Sequence, residues 1–81
     1  MPRNDIRVAF GRRVRELRDQ LQLSQEHLAE RAGLHRNYIG GIERGERNVA
    51  LVNLLKLAAG LNVSLAELFA PFNSRPRRQA S

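Results

Sequence analysis

The sequence of 81 residues contains no cysteine and no tryptophan, and aromatic residues make up only 5% of it. Without cysteine, neither a disulfide framework nor a thiolate metal site can form. The two histidines, His27 and His35, are not joined by any acidic or thiol cluster in the sequence. We therefore expect no bound metal and no cofactor.

Long apolar runs are also lacking. No segment approaches the roughly 20 apolar residues that cross a bilayer, and the N-terminus has no signal-peptide core, so we expect a cytoplasmic protein. Ser24 and His27 have no third group to complete a nucleophilic site, and Ser24 suits helix capping instead. Because paired carboxylates and a glycine-rich phosphate loop are missing too, the sequence predicts that the chain is not an enzyme.

Acidic residues are outnumbered by basic ones, 8 against 14, which gives a formal net charge of +6. Of the basic residues only Lys56 is a lysine. The planar guanidinium of arginine binds phosphate or guanine through two hydrogen bonds, which lysine cannot do. This balance favours a polyanionic partner, nucleic acid before an anionic membrane surface.

The length predicts a single small domain, and a core of that size is only marginally sufficient alone. Dimerisation is a usual remedy. We place the folded domain at residues 1–72 and expect residues 73–81 to form a disordered basic tail. The arginines of that tail are Arg75, Arg77 and Arg78.

Apolar residues spaced by three and four predict five helices and no strands. The predicted helices cover residues 5–21, 25–32, 36–44, 50–59 and 65–70. The expected buried stripe of the first helix is Ile6, Phe10, Val14, Leu17 and Leu21. The expected stripe of the fourth is Leu51, Leu54, Leu55, Ala58 and Leu61. The predicted N-caps are Asn4 or Asp5, Ser24, His35 and Ser64, and the predicted stops are Gly33, Gly45, Gly60 or Asn62, and Pro71.

The stretch from residue 25 to residue 47 organises the rest of the chain. Two short helices are separated by Gly33, which can adopt a left-handed conformation cheaply, and Ala29 is small where the helices must cross. This pattern predicts a helix-turn-helix motif, whose second helix enters the DNA major groove. The alternative is a plain helical hairpin within a small bundle.

The third helix carries the residues that we expect to contact bases: Arg36, Asn37, Tyr38 and Gly40. Arginine can form two hydrogen bonds with guanine, and asparagine can do so with adenine. Tyr38 is either a DNA contact or a core residue. The adjacent Gly40 and Gly41 either let the backbone approach the bases or permit tight packing, and the sequence leaves both explanations open.

A second set of residues suits the DNA backbone. Ser24 and Gln25 begin the second helix, where free N–H groups and the helix dipole favour a phosphate. Arg47 and Asn48 follow the third helix in a polar loop. The predicted backbone-contacting residues are Ser24, Gln25, Arg44, Arg47 and Asn48.

Three strings, LSQEHLAERAGL, NYIGGIERGERN and LNVSLAELF, resemble the Cro/repressor-type (xenobiotic-response-element) helix-turn-helix family over residues 10–69. The resemblance implies a lambda-repressor-like domain. Within that family, the short length and the string RNYIGGIERGERN look most like restriction–modification controller proteins. Those are small dimers that bind palindromic operators and set expression of the endonuclease and often of themselves.

Carried onto this chain, the resemblance implies specific contacts. Gln25 would bind phosphate, the operator would face Arg36, Asn37 and Tyr38, and DNA would also touch Arg47 and Asn48. It further implies an ion pair between Arg18 and Glu43. Two departures stand out: Gly40 replaces a frequent serine, and Val49 and Ala50 replace a proline and a polar cap, which leaves the start of the fourth helix less well fixed.

We therefore expect an all-α, five-helix transcriptional regulator, either activator or repressor, that binds double-stranded DNA as a homodimer. The expected dimer interface comprises Leu51, Val63, Leu65, Phe69 and Phe72. Two other hypotheses remain open at this point. The chain could be the antitoxin of a toxin–antitoxin pair, or a protein-interaction module that does not bind DNA.

Overall fold

The computed structural model describes residues 5–73, which form five α-helices, a short 3-10 helix and no strand. The elements are α1 (Ile6–Gln20), α2 (Gln25–Ala32), α3 (Arg36–Glu43), α4 (Leu51–Gly60), α5 (Leu65–Leu68) and η1 (Ala70–Phe72). The all-α prediction is confirmed. Asn4 and residues 74–81 of the predicted tail lie outside the described residues. Within residues 5–73, no helix is long and apolar enough to cross a membrane.

The helix starts follow the predicted caps. Asp5 accepts hydrogen bonds from the backbone N–H groups of Arg7 and Val8, and the Ser24 hydroxyl accepts one from His27. Ser64 and Glu67 form the reciprocal capping box that satisfies two helix N–H groups. By contrast, α4 begins at Leu51, and Ala50 before it provides no side-chain cap, as the lack of a polar residue there predicted.

Most helix ends also follow the predictions. Gly33 and Gly45 are left-handed, with φ of 69° and 78°, as predicted. Of the two residues predicted to end α4, it is Asn62 that has a positive φ of 57°, while Gly60 is the last residue of the helix. Helix α5 ends at Leu68, two residues before the predicted end, and the chain continues into η1, which contains Pro71, a residue without an N–H to donate to a helical carbonyl.

Helix α1 packs across α3 through its middle. Phe10, Val14 and Leu17 are buried as predicted, but Ile6 and Leu21 are 57% and 42% exposed. The expected stripe was too long, because α1 has 15 residues and α3 has only 8. The two ends of α1 therefore extend beyond the helix that covers its centre.

Helix α4 keeps only part of its predicted stripe in the core. Ala58 and Leu61 are buried and Leu54 packs against the core, as predicted. Leu57 is buried as well, whereas Leu51 and Leu55 are 70% and 53% exposed. The reason lies in the close packing of α4 on α2. A β-carbon at Gly60 would lie 3.0 Å from the Ala32 Cβ, so the glycine side of α4 faces α2 and the side with Leu51 and Leu55 faces outward.

Gly11 sets the distance between α1 and α3. A β-carbon built there would lie 2.3 Å from the Ile42 carbonyl oxygen and 2.7 Å from that of Glu43. Both neighbours are backbone atoms, which cannot rotate away as a side chain can. Sequence periodicity did not single out Gly11, because a glycine carries no apolar signal.

We expect Gly11→Ala to lower the free energy of unfolding by about 1–3 kcal/mol, since overpacking must separate two helices. This loss should outweigh the gain of about 1 kcal/mol in helix propensity. Urea denaturation followed by circular dichroism measures the change. Gly40→Ala is the matched control, because the nearest atom there belongs to the flexible Arg44 side chain. A Gly11→Ala variant as stable as Gly40→Ala would contradict this account.

Candidate nucleic-acid interface

Helices α2 and α3 form the predicted helix-turn-helix, with their apolar sides facing each other. Ile39 and Ile42 of α3 are 0% and 1% exposed, and Ala29 of α2 is 4% exposed. Gly33 makes the left-handed turn between the helices. Because α3 buries this side, its opposite side is presented to solvent.

The N-terminal end of α3 presents Arg36 and Asn37, both exposed as predicted. The His35 Nδ1 atom accepts the backbone N–H of Asn37, which satisfies one free donor of the first turn. Nη1 of Arg36 lies 3.4 Å from Oε1 of Glu26 in an exposed ion pair. The pairing with Glu26 was not predicted, since the two residues belong to different helices.

The middle of α3 corrects one prediction. Gly40 was expected to lie toward solvent, yet it is buried, as is Gly41. The covering groups are arginines: a β-carbon at Gly40 would lie 3.1 Å from Arg44 Nη1, and one at Gly41 would lie 3.0 Å from Arg47 Nε. Two glycines therefore leave room for two side chains that fold back over them.

Tyr38 has features both of a core residue and of a DNA contact, the two roles considered from the sequence. It is partly buried and packs against the core, and its hydroxyl accepts a 3.1 Å hydrogen bond from Asn53 Nδ2. As the acceptor there, the hydroxyl keeps its own O–H for another partner. The Arg47 guanidinium carbon lies 5.5 Å from the ring centroid, within cation–π range.

The end of α3 and the following loop carry the remaining predicted contacts. Arg44 pairs with Glu46 through two hydrogen bonds of 2.9 and 3.2 Å, and this pairing raises the pKa of the Arg44 guanidinium. Arg47 and Asn48 are exposed. Glu26 and Glu46 thus place carboxylates beside Arg36 and Arg44, two arginines expected to bind DNA. Neither pairing was predicted from the sequence, although Glu46 is only two residues from Arg44.

The start of α2 lies beside the same surface. Ser24 is exposed, and its hydroxyl caps the helix by accepting the His27 N–H. The Gln25 side chain donates through Nε2 to Glu43 Oε1 at 3.0 Å. A phosphate contact by Gln25 would therefore use the other amide hydrogen or the backbone N–H.

The ion pair between Arg18 and Glu43 is present, as the family resemblance implied. Arg18 donates through Nε and Nη2 to the two carboxylate oxygens at 2.7 and 2.9 Å. Its Nη1 donates to the Leu23 carbonyl at 2.8 Å. The side chains are only 13% and 5% exposed, and the hydrogen bond with Glu43 raises the pKa of Arg18.

The chain matches the helix-turn-helix family over residues 14–68. It is 48% identical over 68 residues to the control protein C.MunI of a Mycoplasma species, covering 83% of this chain and 92% of that protein. It is 52% identical over 64 residues to the control protein C.SmaI of Serratia marcescens, covering 79% of this chain and 76% of that protein. The crystal structure of the restriction-modification controller protein C.AhdI from Aeromonas hydrophila matches with a TM-score of 0.74 and 60% identity, over 76% of this chain and 94% of that one.

The chain belongs to the helix-turn-helix family. Several of its relatives are named control proteins, the class that the string RNYIGGIERGERN indicated. In this helix-turn-helix protein, the described part of the chain contains no group of three or more acidic or histidine side chains able to hold a metal ion.

The residues expected at the dimer interface fall into two groups. Leu51 is 70% exposed on α4, together with Val52 at 61% and Leu55 at 53%. The others are half-buried and pack against the core: Val63, Leu65, Phe69 and Phe72. Neither Val52 nor Leu55 was predicted at an interface, and Leu55 had been assigned to the core.

We expect Arg18→Ala to destabilise the helix-turn-helix protein strongly. The Glu43 carboxylate, 5% exposed, would keep Gln25 as its remaining donor among the described residues. Breaking a buried pair from one side costs about 3–5 kcal/mol. Denaturant unfolding measures the change.

Arg15→Ala provides the control for that experiment. Arg15 lies 3.9 Å from Asp19, and both side chains are more than half exposed, so its loss should cost less than about 1 kcal/mol. Equal effects of the two substitutions would mean that the Arg18 pair contributes no more than a surface contact.

Proposed function

We propose that this chain is a homodimeric controller of restriction–modification genes that binds a palindromic operator. Its family membership makes it a DNA-binding transcriptional regulator. The finer proposal is supported by relatives named as control proteins and by a structural neighbour named as a restriction-modification controller. These relatives do not favour the antitoxin or protein-interaction hypotheses. A regulator of bacterial genes would act in the cytoplasm, where the DNA lies.

The observation that carries the proposal is the two-sided character of α3. One side buries Ile39 and Ile42 almost completely, while the other presents Arg36 and Asn37 at the N-terminal end. In this motif that end enters the major groove, where arginine and asparagine side chains distinguish base pairs.

Phosphate contacts from the flanks would hold α3 in the groove. Ser24 and Gln25 lie at the start of α2, and Arg47 and Asn48 lie in the loop after α3. Helix N-termini and arginines both favour phosphate oxygens. Affinity would then depend strongly on salt, because each neutralised phosphate releases counterions.

A homodimer would match the two-fold symmetry of a palindromic operator. Leu51, Val52 and Leu55 form an exposed apolar face of α4, and a small domain gains stability by burying such a face. A two-fold axis would set the two α3 helices about one DNA turn, roughly 34 Å, apart. We propose that this α4 face, continued by Leu65 and Phe72, forms the interface.

The proposed operator binding is tested by selecting bound sequences from a random duplex pool with the wild type. Binding of the Arg36→Ala variant to the selected and to random duplexes is then measured. We expect a symmetric consensus for the wild type. Arg36→Ala should remove about 1–3 kcal/mol of discrimination at one base pair in each half-site. Arg47→Ala and Gln25→Ala should instead weaken binding to all sequences alike. If Arg36→Ala weakened specific and random duplexes equally, direct base contact by Arg36 would be wrong.

The dimer is tested by Leu55→Asp, a change at a residue that is 53% exposed and so leaves the core intact. A buried carboxylate at a dimer interface is strongly unfavourable. The variant should sediment as a monomer, and its affinity for the full palindrome should fall by about 100-fold, since the second half-site no longer binds intramolecularly.

Leu21→Asp is the matched control for the dimer experiment. Leu21 is 42% exposed at the end of α1, outside the proposed interface, so this variant should remain dimeric. A Leu55→Asp variant that also remained dimeric would place the interface elsewhere.

A further inference from the structure

The two glycines of α3 hold two arginine side chains against the helix. Helical side chains lean toward the N-terminus and cover the preceding turn, so Arg44 covers residue 40. Arg44 Nη1 lies 3.1 Å from the point that a β-carbon of Gly40 would occupy, and Gln25 Oε1 lies 3.5 Å from it. The guanidinium of Arg44 therefore occupies the middle of the helix face that begins with Arg36, rather than the end of the helix.

Glu46 holds that guanidinium in one orientation. Its carboxylate accepts from Nε at 2.9 Å and from Nη2 at 3.2 Å, which are the donors along one edge of the planar group. The remaining donors, on Nη1 and the second hydrogen of Nη2, lie along the other edge. Two donors on one edge match O6 and N7 of guanine.

We propose that Arg44 reads a guanine in each half-site, with Gly40 and Glu46 as positioning residues. The proposal rests on the proposed function and goes beyond the backbone contact expected of Arg44 from the sequence. Arg36 and Arg44 lie on either side of Gly40, each four residues from it, so they share one face of α3. The two arginines would then read different base pairs of the same half-site.

Arg47 provides a contrast within the same structure. Its Nε lies 3.0 Å from the β-carbon position of Gly41, and its guanidinium stacks on Tyr38 at 5.5 Å. Gly41 lies toward the flank of the helix face rather than its middle. Arg47 therefore keeps its expected role at the DNA backbone, and Arg47→Ala is the matched control.

The test uses the full chain and a panel of duplexes in which every base pair of the selected operator is replaced in turn, at one salt concentration. Arg44→Ala should abolish a preference of about 5- to 150-fold for guanine at one position in each half-site. Preferences at the other positions should remain. Arg47→Ala should lower binding to every duplex by a similar factor.

Two further variants test the positioning residues. Gly40→Ala should weaken the same preference by pushing Arg44 aside, and it should cause no additional loss at that base pair when combined with Arg44→Ala. Glu46→Gln removes a negative charge beside the DNA, so binding to random duplex should increase. It should also reduce the guanine preference, because an amide cannot accept both arginine donors in the same way.

The outcomes separate this inference from the proposed function. A wild-type protein with no sequence preference would overturn both. A wild type that selects a symmetric site, with all preferences retained in Arg44→Ala, would overturn the guanine contact alone. If Glu46→Gln raised binding to all duplexes without changing any preference, Glu46 would not position Arg44. Circular dichroism of each variant should show an unchanged fold, since Arg44, Glu46 and Arg47 are exposed and the β-carbon added at Gly40 meets only flexible side chains.

Discussion

The ion pair between Arg18 and Glu43 joins the parts of the protein that must keep their relative positions. Arg18 belongs to α1 and Glu43 to the last turn of α3, and the same network includes the Leu23 carbonyl and the Gln25 side chain. Removing two charges from water is costly, and the cost is offset only where every donor and acceptor finds a partner. Residues of α1, of α3 and of the segment from Leu23 to Gln25 all take part in this network. The network therefore fixes the orientation of α3 relative to the start of α2.

A second constraint acts at shorter range, through glycine. Gly11 brings α1 against the backbone of α3, and Gly60 brings α4 against α2. These close approaches leave a small domain with little freedom to shift one helix without moving another. Helix α3 is therefore held rigidly, by α1 directly and by α2, which itself packs on α4. Side chains can discriminate between base pairs only when the helix that carries them is held in this way.

Much of this architecture could be predicted from the sequence because it depends on local rules. Ser24, Ser64 and Gly33 act through neighbours within a few residues, so their roles are visible in the sequence alone. Leu51 and Leu55 of α4 were wrongly assigned to the buried stripe because leucine spacing cannot distinguish two overlapping stripes. The choice between them depends on Gly60 and Ala32, which are distant in sequence. The covering of Gly40 by Arg44 was missed for a related reason, since periodicity treats a glycine as an open position.

Net charge proved a poor guide to which arginines are available to DNA. Arg13 contributes to the positive charge, yet its side chain is 15% exposed and donates to the carbonyls of Glu67 and Leu68 at the end of α5. Arg31 similarly donates to the Gly60 carbonyl at the end of α4. Both satisfy acceptors that a helix end leaves without partners.

Two groups of basic residues in the described part of the chain therefore have different physical roles. One group, with Arg13, Arg18 and Arg31, closes helix ends and joins helices. The other, with Arg36 and Arg44, is exposed but paired with Glu26 and Glu46. For Arg36, binding to DNA would exchange the Glu26 carboxylate for a phosphate or a base, so the net gain in electrostatic energy would be smaller than for an unpaired arginine. The proposed guanine contact of Arg44 uses the other edge of its guanidinium and keeps the pairing with Glu46. Such pairing weakens attraction to arbitrary DNA more than it weakens a geometrically matched contact, and it thereby favours the specific site.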